Sequence, residues 1–152
     1  MANPKLLDII TTLQTRLLAI NGQDKFYHAV TGIFRGKRQF DADELPAGII
    51  AINPRTAQSD KSIGRSKTSA SVSIELLAVI GEREAETVAI ELLADIQRAV
   101  ELLPDYDLGG LLQGHLAFEN DQILYPDESG ETVGVRVDYA IPHVRVYGDP
   151  TK

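Results

Sequence analysis

Residues 132–150, TVGVRVDYAIPHVRVYGDP, alternate apolar and polar side chains along most of their length. Val133, Val135, Val137, Tyr139 and Ile141 fall on odd positions, and after Pro142 the apolar residues Val144 and Val146 fall on even ones. A period of two is that of a half-buried strand. A chain containing it must build a sheet with one dry face and one wet face. A one-residue slip exchanges those faces. The change of phase therefore predicts a bulge or bend at Pro142, or an edge position, where proline is tolerated. A strand of this kind can leave one sheet for a second, or pair with a neighbouring subunit. Pro142 is thus a candidate sheet bend or inter-subunit position.

The remaining elements follow from the same reasoning. Asn3-Pro4 is a helix start, and Leu6, Ile10, Leu13, Leu17 and Ile20 recur at helical spacing up to the Asn21-Gly22 stop, giving a helix over about 4–20. FYHAVTGIFR (26–35) and LPAGIIAIN (45–53) are predicted strands, the second bounded by Pro46 and Pro54. SASVSIELLAVIG (69–81) alternates, with Val72, Ile74 and Leu76 on one face and Ser71, Ser73 and Glu75 on the other. A second helix is predicted over about 83–103, with Val88, Leu92 and Ile96 in its stripe, Glu82, Glu84 and Glu86 at its positive end and Pro104 as its stop. HLAFENDQILYP (115–126) is a predicted strand or tight hairpin, and DESGE (127–131) a turn. Helix, three strands, helix, then two or three strands is an α+β order: a mostly antiparallel sheet with two helices packed on it. No linker divides the 152 residues, which suit one domain and one core.

Between the predicted strands, residues 54–69 are polar and show no period, so they are expected to form a long mobile loop. Within it, RTAQSDKSIGRSK (55–67) holds Arg55, Lys61, Arg65 and Lys67 against Asp60, a local charge of +3. The whole chain carries −7, which leaves −10 for the rest. An acidic body is not a general nucleic-acid binder. The basic loop is the candidate contact surface for an acidic partner or a polyanion. There is no cysteine, hence no disulfide framework and no thiolate metal site. No apolar run is long enough to span a bilayer, and MANPKLLDII lacks the basic region of a signal peptide, so the expected compartment is a cytoplasm or a particle assembled in one.

No catalytic constellation stands out. His28, His115 and His143 each lie alone, without a metal-ligand neighbour at short spacing. GIFRGKR (32–38) is one residue short of a phosphate loop and has no helix pattern after it; GGLLQG (109–114) follows a helix rather than a strand. GRSKT (64–68) lacks the closing glycine of a nucleophile elbow. No pair of carboxylates shares an apolar setting. The expectation is a protein with no cofactor, no metal and no catalytic residue. The alternative from a different class is a small cytoplasmic enzyme whose site gathers scattered residues such as His28, Glu75 and His143.

The layout resembles the tail terminator proteins of long-tailed bacteriophages and the related tail-completion proteins of the phage neck. The resemblance covers almost the whole chain and is carried chiefly by the helix at 84–103, of the type ETVAIELLADIQRAV, and by the closing YAIPHVRVYGDP (139–150). It rests on pattern and element order, with no motif from which site residues carry over. It implies a small α+β subunit that forms a ring, usually of six, with a mobile loop near 54–69. The ring caps the finished tail tube, stops its polymerisation and offers a surface to the head connector. The implied partners are copies of itself, the tail tube protein and a connector or neck protein, with DNA only in transit. The implied location is the tail–neck junction of the virion. A neck head-completion subunit and a tail tube protein share this shape and are the nearest alternatives.

Overall fold

The computed structural model describes residues 2, 4–36, 39–62, 65–101, 108–112, 116–126, 130–146 and 149, with side chains of 54–62, 65–69 and 143–146 outside the description. Helix α1 spans Lys5–Leu18, and strand β1 spans Gly32–Arg35. After a short turn of helix at Ala42–Glu44 come β2 (Ala47–Ser62) and β3 (Arg65–Val79). Helix α2 (Ala85–Val100), β4 (Ala117–Leu124) and β5 (Thr132–Val146) complete the order. The five strands form one sheet in the order β1-β2-β3-β5-β4. Only β1 and β2 are parallel; every other pair is antiparallel. The expected α+β architecture, two helices on a mostly antiparallel sheet, is the one the chain adopts.

The closing strand presents its odd residues to the core. Val133, Val135, Val137, Tyr139 and Ile141 are buried, as are Ala70, Val72, Ile74, Leu76 and Ala78 of β3. These pack into one cluster with Ile9, Leu13 and Leu17 of α1 and Val88, Leu92 and Ile96 of α2. Each side chain of this size contributes about 1.5–3 kcal/mol when removed from water. Tyr139 is the largest fully buried side chain, and Phe118 of β4 meets its ring edge-on at 6.3 Å. Burial holds its hydroxyl proton in place far above neutral pH, and among the described residues the hydroxyl has no hydrogen-bond partner.

Three expectations are corrected. First, β5 has no bulge or bend in its pairing at Pro142: it pairs β3 one to one from Thr132 opposite Val79 to Val146 opposite Arg65. The register slips lie in β2, between Pro54 and Ala57 and between Ala57 and Lys61, and in β4, between Phe118 and Asn120. Pro142 occupies the third predicted alternative, an edge, because β4 pairs β5 only as far as Ala140. Second, residues 54–62 and 65–69 are strand rather than irregular loop. Residues 54–62 belong to β2 and 65–69 to β3. Their pairing is a backbone ladder continued from the body, and backbone hydrogen bonds leave no side-chain period to read. Third, only the end of 26–35 is a strand, because a carboxylate on α2 takes the backbone N–H groups of Tyr27 and His28. Of the two readings of 115–126, the strand is the one the chain adopts, over Ala117–Leu124.

Gly48 fixes the distance between β2 and its neighbours. A Cβ there would stand 2.5 Å from Leu76 Cδ2 and 2.6 Å from the Glu75 carbonyl oxygen, with Ile33 Cδ1 at 2.9 Å. The second of these is backbone and cannot move aside. Gly48→Ala is therefore expected to destabilise the fold by about 1–3 kcal/mol, as overpacking does. Equilibrium urea unfolding measures it, and an unchanged midpoint contradicts the tight contact.

Candidate assembly surface

Three strands run on past the helix-covered core. Beyond Ile50, β2 has no β1 partner, and beyond Ala140, β5 has no β4 partner. From there, among the described residues, only β2, β3 and β5 remain, with β3 in the middle. They make an arm of residues 54–62, 65–70 and 141–146. The parity of the ladder explains its two prolines. The carbonyls of Pro46 and Ile50 accept bonds from Thr31 and Gly36 on the β1 side, so even residues of β2 point their backbone groups toward that side. Odd residues of β2 therefore face β3, even residues of β3 face β5, and even residues of β5 face the β4 side. Pro54 and Pro142 thus turn their missing N–H groups toward the two flanks that have lost a partner, where nothing in the sheet needs them.

The four basic residues singled out from sequence all lie on this arm. Arg55 sits in the first register slip of β2, Lys61 pairs Ser66, Arg65 pairs both Ser62 and Val146, and Lys67 pairs Val144. The structure brings them onto two paired strands, β2 and β3; their side chains lie outside the described residues. Pro142 pairs Ser69 on the same arm.

The second feature is the sheet face without helices. Odd residues of β2 and β3 and even residues of β5 share it. Asp138 is its centre: it accepts hydrogen bonds from Ser73 Oγ at 2.6 Å, Arg136 Nε at 3.1 Å and Asn120 Nδ2 at 3.1 Å. Arg136 Nη2 also donates to Ser73 Oγ at 3.0 Å. Sequence reading missed this group. Its trace was there, in Ser71, Ser73 and Glu75 on one strand and Arg136 and Asp138 on another, but only the pairing puts them side by side. Burial alone would raise the Asp138 carboxyl; the bonds from Ser73, Arg136 and Asn120, with the Arg136 charge, hold it below the usual 3.8. A carboxyl lowered in the fold stabilises it above the unfolded value, and that contribution is lost as pH falls through the folded value. Asp138→Asn is expected to flatten the loss of stability between about pH 4 and pH 2. Thermal unfolding across that range checks it; an identical slope in variant and wild type refutes the pairing.

A third polar group lies under α2 and is structural. Asp95 is fully buried and accepts the backbone N–H groups of Tyr27 and His28, each at 2.9 Å. Burial pushes its carboxyl up, against the pull of those two bonds and of His28 and Arg98. His28 Nε2 lies 3.3 Å from Glu91 Oε2, and Arg83 grips Glu91 with Nη1 and Nη2. Arg98 covers the Tyr27 ring at 5.0 Å. Together these pin residues 25–28 to the helix. His28 is thus on the helix side of the sheet, whereas Glu75 is on the open face and His143 pairs Thr68 on the arm. The three residues of the scattered enzyme site are not brought together, and His115 lies outside the described residues. Among the described residues no three His, Asp or Glu side chains cluster as metal ligands, and no helix is long and apolar enough to cross a membrane.

No protein-family model matches the chain, and a search of curated proteins finds no matching relative. The α+β fold and the arm stand on the structure alone.

Proposed function

We propose that the chain is a structural subunit of a bacteriophage tail, forming a ring of six copies at the tail–neck junction. The ring caps the finished tail tube, ends its polymerisation and presents the joining surface to the head connector. DNA passes through it only in transit, and the role requires neither cofactor nor catalysis. The observation that supports this reading is the three-stranded arm, which carries sheet structure past the core and runs beyond the ends of β1 and β4, so that among the described residues no further strand lies beside β2 or β5 there. A closed ring needs two different faces of one subunit that meet heterologously, and an arm with two unlike flanks supplies them. The arm sequence carries +4 (Arg55, Lys61, Arg65, Lys67 and Arg145 against Asp60) while the rest of the chain carries −11, so the arm of one copy and the body of another attract.

The test is electron microscopy of the purified protein, alone and mixed with growing tail tubes. Wild-type protein is expected to give single rings and capped tubes. A variant with Arg55, Lys61, Arg65 and Lys67 all changed to serine is expected to keep its melting temperature and fail to cap. Long tubes formed by the protein alone, or normal capping by the variant, contradict the reading.

A further inference from the structure

We infer that the flank of β2 at Ile52, at the root of the arm, is a docking slot for an extended segment of another protein in which apolar and basic residues alternate. The slot goes beyond the ring and does not depend on it. Its first element is the ladder. The last bond on this flank runs from Gly36 N–H to the Ile50 carbonyl at 3.3 Å. By the parity of the strand, the N–H and carbonyl of Ile52 point the same way, and among the described residues nothing pairs them. An unpaired strand edge is a template for one more strand. Pro54 follows with a carbonyl and no N–H, so the added ladder is short.

The second element is a pair of grooves, one on each face of this edge, sharing Gly36 and Ala51. On the helix side, Leu6, Leu7, Ile10 and Ile52 line a groove of about 450 Å³. Arg35 at its mouth is tied to Gln14 and Thr11. On the open side, Gln39, Asn53, Ser73 and Glu75 line a groove of about 650 Å³ with Arg136. Successive side chains of a docked strand point to opposite faces, so they enter the two grooves in turn: apolar toward the leucines, polar toward Glu75.

The third element sets the charge. Glu75 is half-buried and, although it stands opposite Arg136 in the register, it forms no ion pair among the described residues, because Arg136 is drawn to Asp138 and Ser73. Among the described residues the groove therefore offers one carboxylate without an ion-pair partner, beside an already neutralised arginine. A lysine or arginine at alternate positions of the incoming strand supplies the missing partner.

The experiment titrates the protein with a capped peptide alternating valine and lysine, followed by amide chemical shifts. Saturable one-to-one binding is expected, with shifts centred on residues 49–53. Glu75→Gln is expected to weaken it about tenfold, the worth of one charge-assisted bond. Leu7→Asp, on the exposed lip of the apolar groove, is expected to weaken it without touching the ladder. A peptide alternating valine and glutamate is expected not to bind, nor the lysine peptide when its central amide is N-methylated. The inference is overturned by equal binding of the glutamate peptide, by shifts located elsewhere, or by no shifts at millimolar peptide. It is also overturned if the Ile52 amide is already protected from exchange by a second copy of this chain. Because each outcome is read on the peptide and on residues 49–53, it is separable from success or failure of ring formation.

Discussion

The pairing of β3 with β5 is the constraint on which the rest of the structure depends. It runs without a slip along the whole of β5, from Thr132 to Val146. Since side chains alternate with a period of two, one register decides the fate of every residue on both strands. It sets Ile74 opposite Val137 and Val72 opposite Tyr139 on the dry face. The same register sets Glu75 opposite Arg136 and Ser73 opposite Asp138 on the wet face. A slip of one residue would bury a carboxylate and expose a tyrosine, so burial itself locks the ladder.

The helices respond to that ladder rather than impose it. Their apolar stripes cover the dry face, and a few directed bonds fix where they lie. Asp95 secures the segment before β1 to α2, and Gln14 of α1 donates to the Ile33 carbonyl at 2.7 Å while accepting from Arg35. These bonds hold β1 short and in place beside β2. Where β1 stops at Arg35, the flank of β2 opens, and both the arm and the slot at its root follow from that stop.

The two prolines show how one physical fact serves two purposes. A missing N–H is a defect inside a sheet and harmless on a flank. Pro54 and Pro142 mark the places where β2 and β5 lose an outer neighbour. They also bar a full ladder from forming on those flanks, which guards an edge against indiscriminate pairing while leaving side-chain contacts and short strand additions open.

The sequence by itself determined the α+β class, both helices to within a few residues and the buried face of the closing strand. Those features come from local periodicity, and the residues that create the period are the ones the core buries. It placed Arg55, Lys61, Arg65 and Lys67 in one basic stretch, because charge is a property of composition. Tertiary structure alone decided that 54–62 and 65–69 are paired strands of an arm, since the hydrogen bonds are between backbones and the partner β5 lies far along the chain. It alone decided that Pro142 causes no bulge, since the phase of the ladder depends on what β3 offers opposite. The Asp138 cluster and the unpaired Glu75 also arise only on pairing. Each is an interaction, or a missing interaction, between residues on different strands, and no single strand carries its signature.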